Sequence, residues 1–187
     1  MNQLICALCI MSALSPLTHA KEVAGIDIPD DLAVEDVSLS LNGAGVRSKW
    51  MTNVYVGGLY LMQAAADASR VLAADEPMAI KLHMVSGLVT SEKMKNSLRD
   101  GFEAAREVES VGFVSQFERF AAVFDEKIRQ GDVFDLLYLP GKGIEIYKNN
   151  ELKDSLSGGV ELKRALFGIW LIGEQPRDPL KQAMLGG

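Results

Sequence analysis

Among the side chains able to do chemistry, one arginine stands apart by its setting. Arg47 closes the run Leu41-Asn42-Gly43-Ala44-Gly45-Val46-Arg47, shortly before a second apolar run from Val54 to Leu61. A guanidinium is permanently charged and presents a planar fork of N–H donors, so it can hold a carboxylate or phenolate bidentately. If strand phase runs unbroken from Leu39, then Leu41, Gly43, Gly45 and Arg47 share one face. The missing side chains at Gly43 and Gly45 then leave a cleft beside the cation. An arginine buried there needs an anion, supplied by a protein carboxylate or by a ligand, because an unpaired charge is costly away from water. The competing reading is that Gly-Ala-Gly marks a bulge or turn, phase is lost, and Arg47 is a solvated hairpin residue.

The remaining candidates are weaker. His83 has no cysteine or acidic cluster near it in sequence, which makes a metal site a poor reading. It is either a general base or an ordinary strand histidine. Tyr55, Tyr60, Tyr138 and Tyr147 could each present a hydroxyl to an anion, or pack in a sheet with a hydrogen-bonded tip. Trp50 and Trp170 read as structural. The sequence holds no nucleophile elbow, phosphate loop or His-Glu-x-x-His motif, and no cofactor or metal is expected.

These residues depend on strands and helices for their placement. Val23 to Ile28 reads as a short strand ended by Pro29-Asp30-Asp31. Val37, Leu39 and Leu41 alternate with Ser38, Ser40 and Asn42, a strand period. Val54 to Met62 is apolar on both faces and reads as a central strand covered on both sides. Ala64 to Asp75 resembles a short helix. Pro77 opens a strand with Ile80, Leu82 and Met84 on one face and Lys81 and His83 on the other. Thr90 or Ser91, with Ser91 the better N-cap before acidic Glu92, starts a helix carrying Met94, Leu98, Phe102 and Ala105. A second helix carries Val114, Phe117, Phe120, Ala121 and Phe124, whose spacing predicts core contacts. Then come Val133 to Leu139, a Pro140-Gly141-Lys142-Gly143 turn, Ile144 to Tyr147, an Asn149-Asn150 turn and Leu152 to Leu156, a hairpin meander. Gly158-Gly159 lead into a helix with Leu162, Leu166, Ile169 and Trp170, which Gly173 ends. Asp178 caps a short last helix with Pro179 at its first position. Strands, paired helices, strands and helices predict an α+β domain with a mostly antiparallel sheet.

Bulk properties bound the rest. Of 187 residues, the first 20 contain no Lys, Arg, Asp or Glu. The apolar run Leu4 to Leu14 precedes Thr18 and Ala20, small residues that fit cleavage before Lys21. Residues 1–20 are therefore expected to be a signal peptide, residues 21–187 the working domain, and the location periplasmic or secreted. Cys6 and Cys9 lie inside the leader, so the mature chain has no disulfide and relies on a hydrophobic core. The net charge is -6 and no basic cluster is present, which argues against nucleic acid. No segment after the leader is long and apolar enough to span a bilayer. The oligomeric state is not readable.

The run Leu41 to Arg47, the Val54 to Leu61 strand, the Ser91-Glu92-Lys93 helix start and Phe167-Gly168-Ile169-Trp170-Leu171 together resemble the bacterial chalcone isomerase-like proteins. The resemblance covers nearly all of the chain after the leader. It implies an open-faced β-sandwich, a long antiparallel sheet covered on one side by helices. In the plant isomerase an arginine at the glycine-rich strand stabilises the oxyanion of a cyclising chalcone without a cofactor, and Arg47 matches it. In plant fatty-acid-binding members the same arginine takes a ligand carboxylate. The resemblance also places Thr90, where the isomerase has tyrosine, Ser97, where it has asparagine, and Tyr55 around the ligand. The leading expectation is a domain that binds a small amphipathic anion such as a fatty acid or aromatic acid, with Arg47, Tyr55, Thr90 and Ser97 as contacts. The alternatives are an isomerase (intramolecular lyase) with Arg47 as the catalytic oxyanion stabiliser, and a protein-interaction module without a small ligand.

Overall fold

Nine strands and five helices follow one another in a computed structural model that describes residues 20–49, 51–105, 113–172 and 178–186. The strands are β1 (Ala20–Val23), β2 (Ile26–Pro29), β3 (Asp31–Val34), β4 (Val37–Lys49), β5 (Thr52–Leu61), β6 (Met78–Met84), β7 (Val133–Leu139), β8 (Gly143–Lys148) and β9 (Glu151–Leu156). The helices are α1 (Ala68–Ala73), α2 (Ser91–Ala105), α3 (Val114–Ala122), α4 (Val160–Leu171) and α5 (Pro179–Met184). Residues 1–19 of the expected leader, with Cys6 and Cys9, as well as Trp50 and Gly173 as the end of α4, fall outside the described residues.

The main sheet has seven strands in the order β3-β4-β5-β6-β7-β8-β9, each antiparallel to its neighbours. Every neighbour in space is a neighbour in sequence. This is the expected α+β architecture, a curled antiparallel sheet with helices on one face. The Asn149-Asn150 turn adopts positive φ at both residues, the conformation of a tight two-residue hairpin that asparagine tolerates best after glycine.

One expectation needs correction at the N-terminal end. Val23 to Ile28 is not one strand but the two arms of the β1–β2 hairpin, which folds at Ala24 and Gly25 with positive φ at both. A separate strand, β3, follows at once. The hairpin contributes Ile28 to a small second core with Val34, Leu39, Val56, Tyr60, Ala79, Leu137 and Leu139. The sheet face away from the helices therefore has its own apolar cover, and the Tyr60 hydroxyl donates to Pro29 O at 2.9 Å across it.

The larger core lies between the sheet and the helices. Helix α4 is buried along nearly its whole length, from Leu162 to Leu171, so it is the central helix. Helices α2 and α3 each offer one apolar stripe. Phe102 stacks on Phe117 at 4.4 Å and Phe124 on Phe134 at 4.5 Å, while Phe120 meets Trp170 edge-on. The α1 helix is shorter than Ala64 to Asp75 predicts, because Asp67 caps it, its carboxylate accepting from Arg70 N.

The glycine-rich segment has a function different from the expected cleft. A Cβ at Gly43 would lie 2.1 Å from Ala183 O, one at Gly45 2.6 Å from Ala183 Cβ, and one at Gly57 2.5 Å from Met184 Cε. The space of the missing side chains is filled by α5, which rests directly on β4 and β5. Asn42 pins this arrangement by donating to Ala65 O at 2.9 Å and Met184 O at 2.8 Å.

Lys163 on α4 is buried, and its Nζ donates to Val71 O and Ala74 O at the end of α1 while facing the Tyr138 ring at 5.1 Å. Burial pulls its pKa down to about 8, with Asp75 and Glu76 offsetting part of the effect.

Two outcomes follow. Gly43→Ala lowers stability by about 2–4 kcal/mol and exposes α5 to protease, whereas Gly87→Ala, where a Cβ meets nothing closer than 3.8 Å, changes it by less than about 0.5 kcal/mol. Thermal denaturation of both variants checks this. For Lys163 the folded state loses its proton first, so the unfolded chain binds more protons between pH 8 and the ordinary lysine range. Wild type therefore gains stability over Lys163→Met as pH rises through that window, in denaturant titrations at stepped pH.

Candidate functional site

Arg47 reaches its position through a register fault. Between Leu41 and Gly43 the pairing of β4 with β5 shifts by one residue, leaving Asn42 as a bulge. Leu39 and Leu41 belong to the small core, but beyond the bulge the phase reverses. Gly43 and Gly45 face α5, and Arg47 pairs across the strands with Tyr55, a residue of the large core. Thus the unbroken phase from Leu39 does not hold, yet Gly43, Gly45 and Arg47 still share the helix-bearing face. The bulge that threatened to solvate the arginine is what turns it inward.

The guanidinium has a protein anion. Arg47 Nη1 donates to Asp178 Oδ2 at 2.6 Å, with side chains 33% and 11% exposed. The other carboxylate oxygen, Oδ1, accepts from Leu180 N at 2.9 Å and Lys181 N at 3.2 Å, capping α5. One carboxylate thus ties the last helix to β4. Burial opposes the charge on Arg47, but Tyr55 and Asp178 more than offset it and hold the group above the ordinary arginine value. Tyr55 is itself anchored, its hydroxyl accepting from Trp170 Nε1 at 3.0 Å in the buried core.

Beside this cluster is a cavity of about 630 Å³. Arg47, Lys49 and Lys93 bring positive charge to its lining, with Asp100 opposing; Val54, Tyr55, Leu88, Val89 and Met94 bring apolar surface. Ser97 and Asn96 line it from α2. The structure therefore brings Arg47, Tyr55 and Ser97 together around one space. Thr90 is exposed and is not part of that lining; its Oγ1 accepts from Lys93 N at 3.2 Å. Of the two residues expected at the start of α2, Thr90 and not the preferred Ser91 provides the cap, while Ser91 Oγ donates to Glu126 O at 2.8 Å.

The other candidates lie elsewhere. His83 sits opposite Val56, on the sheet face away from Arg47. Burial, reinforced by Lys81, lowers its pKa, with Asp135 acting in the other direction; its place on the far face keeps it out of the Arg47 cavity. Tyr138 OH donates to Asp75 and Tyr147 OH to Glu145. With Tyr60 already bonded to Pro29, Tyr55 is the tyrosine left to the cavity. Sequence reasoning missed Asp178 as the partner of Arg47, although it recognised the cap; nothing in the spacing of the two residues joins them. It also missed Lys49 and Lys93 at the cavity.

An antiparallel meander covered by helices, with an arginine on the glycine-rich strand facing a cavity, defines the chalcone isomerase-type class of fold. The model of the chalcone isomerase-like family matches residues 20–186, and the chain belongs to that family. Among solved structures it is similar to a fatty-acid binding protein of Arabidopsis thaliana, with a TM-score of 0.67 at 20% identity over 91% of this chain and 94% of that one. That likeness establishes the fold. No curated protein matches the chain by sequence.

Removing either member of the Arg47–Asp178 pair leaves a partly buried group without its partner. Arg47→Ala and Asp178→Asn are each expected to lose about 1–3 kcal/mol. Their double variant loses less than the sum, because the second change removes nothing the first has not already broken. A double-mutant cycle on denaturant midpoints reads the coupling.

Proposed function

We propose that the protein is a binding domain for a small amphipathic anion, a fatty acid or an aromatic acid, that works after removal of the leader in the periplasm or outside the cell. The observation that carries the binding reading is one cavity that combines Arg47, Lys49 and Lys93 with Val54, Leu88, Val89 and Met94. Its volume, about 630 Å³, falls within the range of about 300–1,000 Å³ usual for small-molecule sites. Asp178 occupies one side of the guanidinium only, and a guanidinium carries five N–H donors. The ligand carboxylate takes donors that Asp178 leaves, with the Tyr55 and Ser97 hydroxyls beside it and its apolar part along Val54, Met94 and Val89. Thr90 follows Val89 in the chain, and its hydroxyl proton is not used by the cap. The fatty-acid binding protein of the same fold supports this choice of ligand class. For location, the support is the Leu4 to Leu14 run with Thr18 and Ala20 behind it.

Native mass spectrometry of protein purified from cells tests both parts. The expected spectrum shows a chain that starts after Ala20 and carries an acidic ligand, which Arg47→Ala loses and Asp178→Asn keeps. In titrations with dodecanoate, Arg47→Ala weakens binding at least about tenfold, in line with loss of a charge-assisted hydrogen bond. Protein that is bare in every form and does not take up dodecanoate overturns the proposal. Turnover of a 2′-hydroxychalcone that depends on Arg47 would replace it with the isomerase reading.

A further inference from the structure

The mouth of the cavity extends outward into an exposed surface. Among the exposed large hydrophobic side chains, Met51 and Leu88 are the most exposed, at 104% and 74%. Topology puts them at the same end of the molecule. Tyr55 pairs with Arg47 on one side and Met84 on the other, so the β4–β5 turn and the loop after β6 emerge together. Leu88 lines the cavity, and Met51 lies between the lining residues Lys49 and Thr52.

Met51 is unusual in a second way. It directly precedes Thr52, which pairs with Lys49, and has φ of 64°. Glycine or asparagine suits that left-handed conformation; a large unbranched side chain there is strained and gains nothing from packing. Strain at an exposed apolar residue points to use. Charge points the same way. Lys49 and Lys93 flank the tip and neither has an ion-pair partner among the described residues, on a chain whose net charge is -6. Glu92 and Asp100 are the nearby acids on α2, and Asp100 lies about two turns further along it.

We propose that Met51 and Leu88, flanked by Lys49 and Lys93, form a tip that docks the cavity mouth onto an anionic phospholipid bilayer. The apolar pair enters the headgroup boundary, and the ammonium groups meet lipid phosphates. A second copy of the chain is a poorer occupant, because a symmetric contact would bring these lysines against their own counterparts. Docking would let an amphipathic anion pass between bilayer and cavity without crossing water. The docking itself does not require the binding reading; only its cargo does.

Cosedimentation of the purified full-length product with lipid vesicles tests it, all variants sharing the same N-terminus. Binding is expected to vesicles that mix phosphatidylcholine with phosphatidylglycerol, not to phosphatidylcholine alone, and to fall at high salt. The double variant Lys49→Glu, Lys93→Glu weakens it by at least about twentyfold, from about fivefold per lysine. Met51→Asn suits the turn and lies outside the cavity lining. It weakens vesicle binding about tenfold while leaving dodecanoate affinity and melting temperature unreduced. Absence of vesicle binding, or equal binding by wild type and Met51→Asn, overturns the proposal. So does a wild-type dimer that Met51→Asn dissociates, since the tip then serves a second copy. Vesicle binding that persists without dodecanoate uptake keeps the docking surface and removes the cargo reading alone.

Discussion

Helix α5 lies against β4 and β5 because three positions beneath it carry no side chain, and the Arg47–Asp178 pair fixes where its first turn sits. Neither half of the arrangement works alone. Without Gly43, Gly45 and Gly57 the helix could not approach, since each added Cβ would come within 3.0 Å of it. Without Asp178 the first turn would lose both its cap and its tether. The cavity depends on the same device, because the arginine at its edge is held by a carboxylate that belongs to the helix.

This changes how the arginine should be understood. A cation beside glycines suggests an open seat for an external anion. In this protein the glycines seat a helix, and the first anion on the guanidinium is internal. Such a pair contributes little net stability over a good apolar packing, but it orients the fork. An arginine already fixed by Asp178 and Tyr55 presents its remaining donors in a set direction, which reduces the ordering needed when a ligand arrives. The structural role of Arg47 and the binding role proposed for it are then compatible parts of one arrangement.

Where local chemistry decides conformation, the sequence was readable. The Asn149-Asn150 turn, the Pro179 helix start behind Asp178 and the alternation in β6 all appear in the structure, because cap and turn residues act within a few positions of themselves. The Val23 to Ile28 segment misled because alanine at positive φ leaves no signature beyond the glycine after it, so a hairpin looked like a strand. The sequence offers a bulge at Gly43-Ala44-Gly45; the structure has it one residue earlier, at Asn42, where it turns Arg47 inward rather than outward. Thr90 and Ser91 are both competent caps, and the choice between them depended on Glu126 from a distant loop. Of the candidate site, the sequence points to Arg47, Tyr55 and Ser97, which line one cavity, and to Thr90, which does not. It does not point to Asp178, Lys49 or Lys93, because their relation to the cavity exists only after the sheet has curled and α5 has docked.

The ion pair spans 131 residues of chain, and the Asn42 bond to Met184 spans 142. All the pairings of the main sheet, by contrast, join strands that follow one another. A ribosome therefore delivers every strand of the meander before it delivers Asp178 and α5, which complete the arginine's surroundings. A chain ended early could form the sheet, but Arg47 would have no carboxylate and the glycine strip would be open to water. The setting of Arg47 is thereby completed later in synthesis than the sheet that carries it.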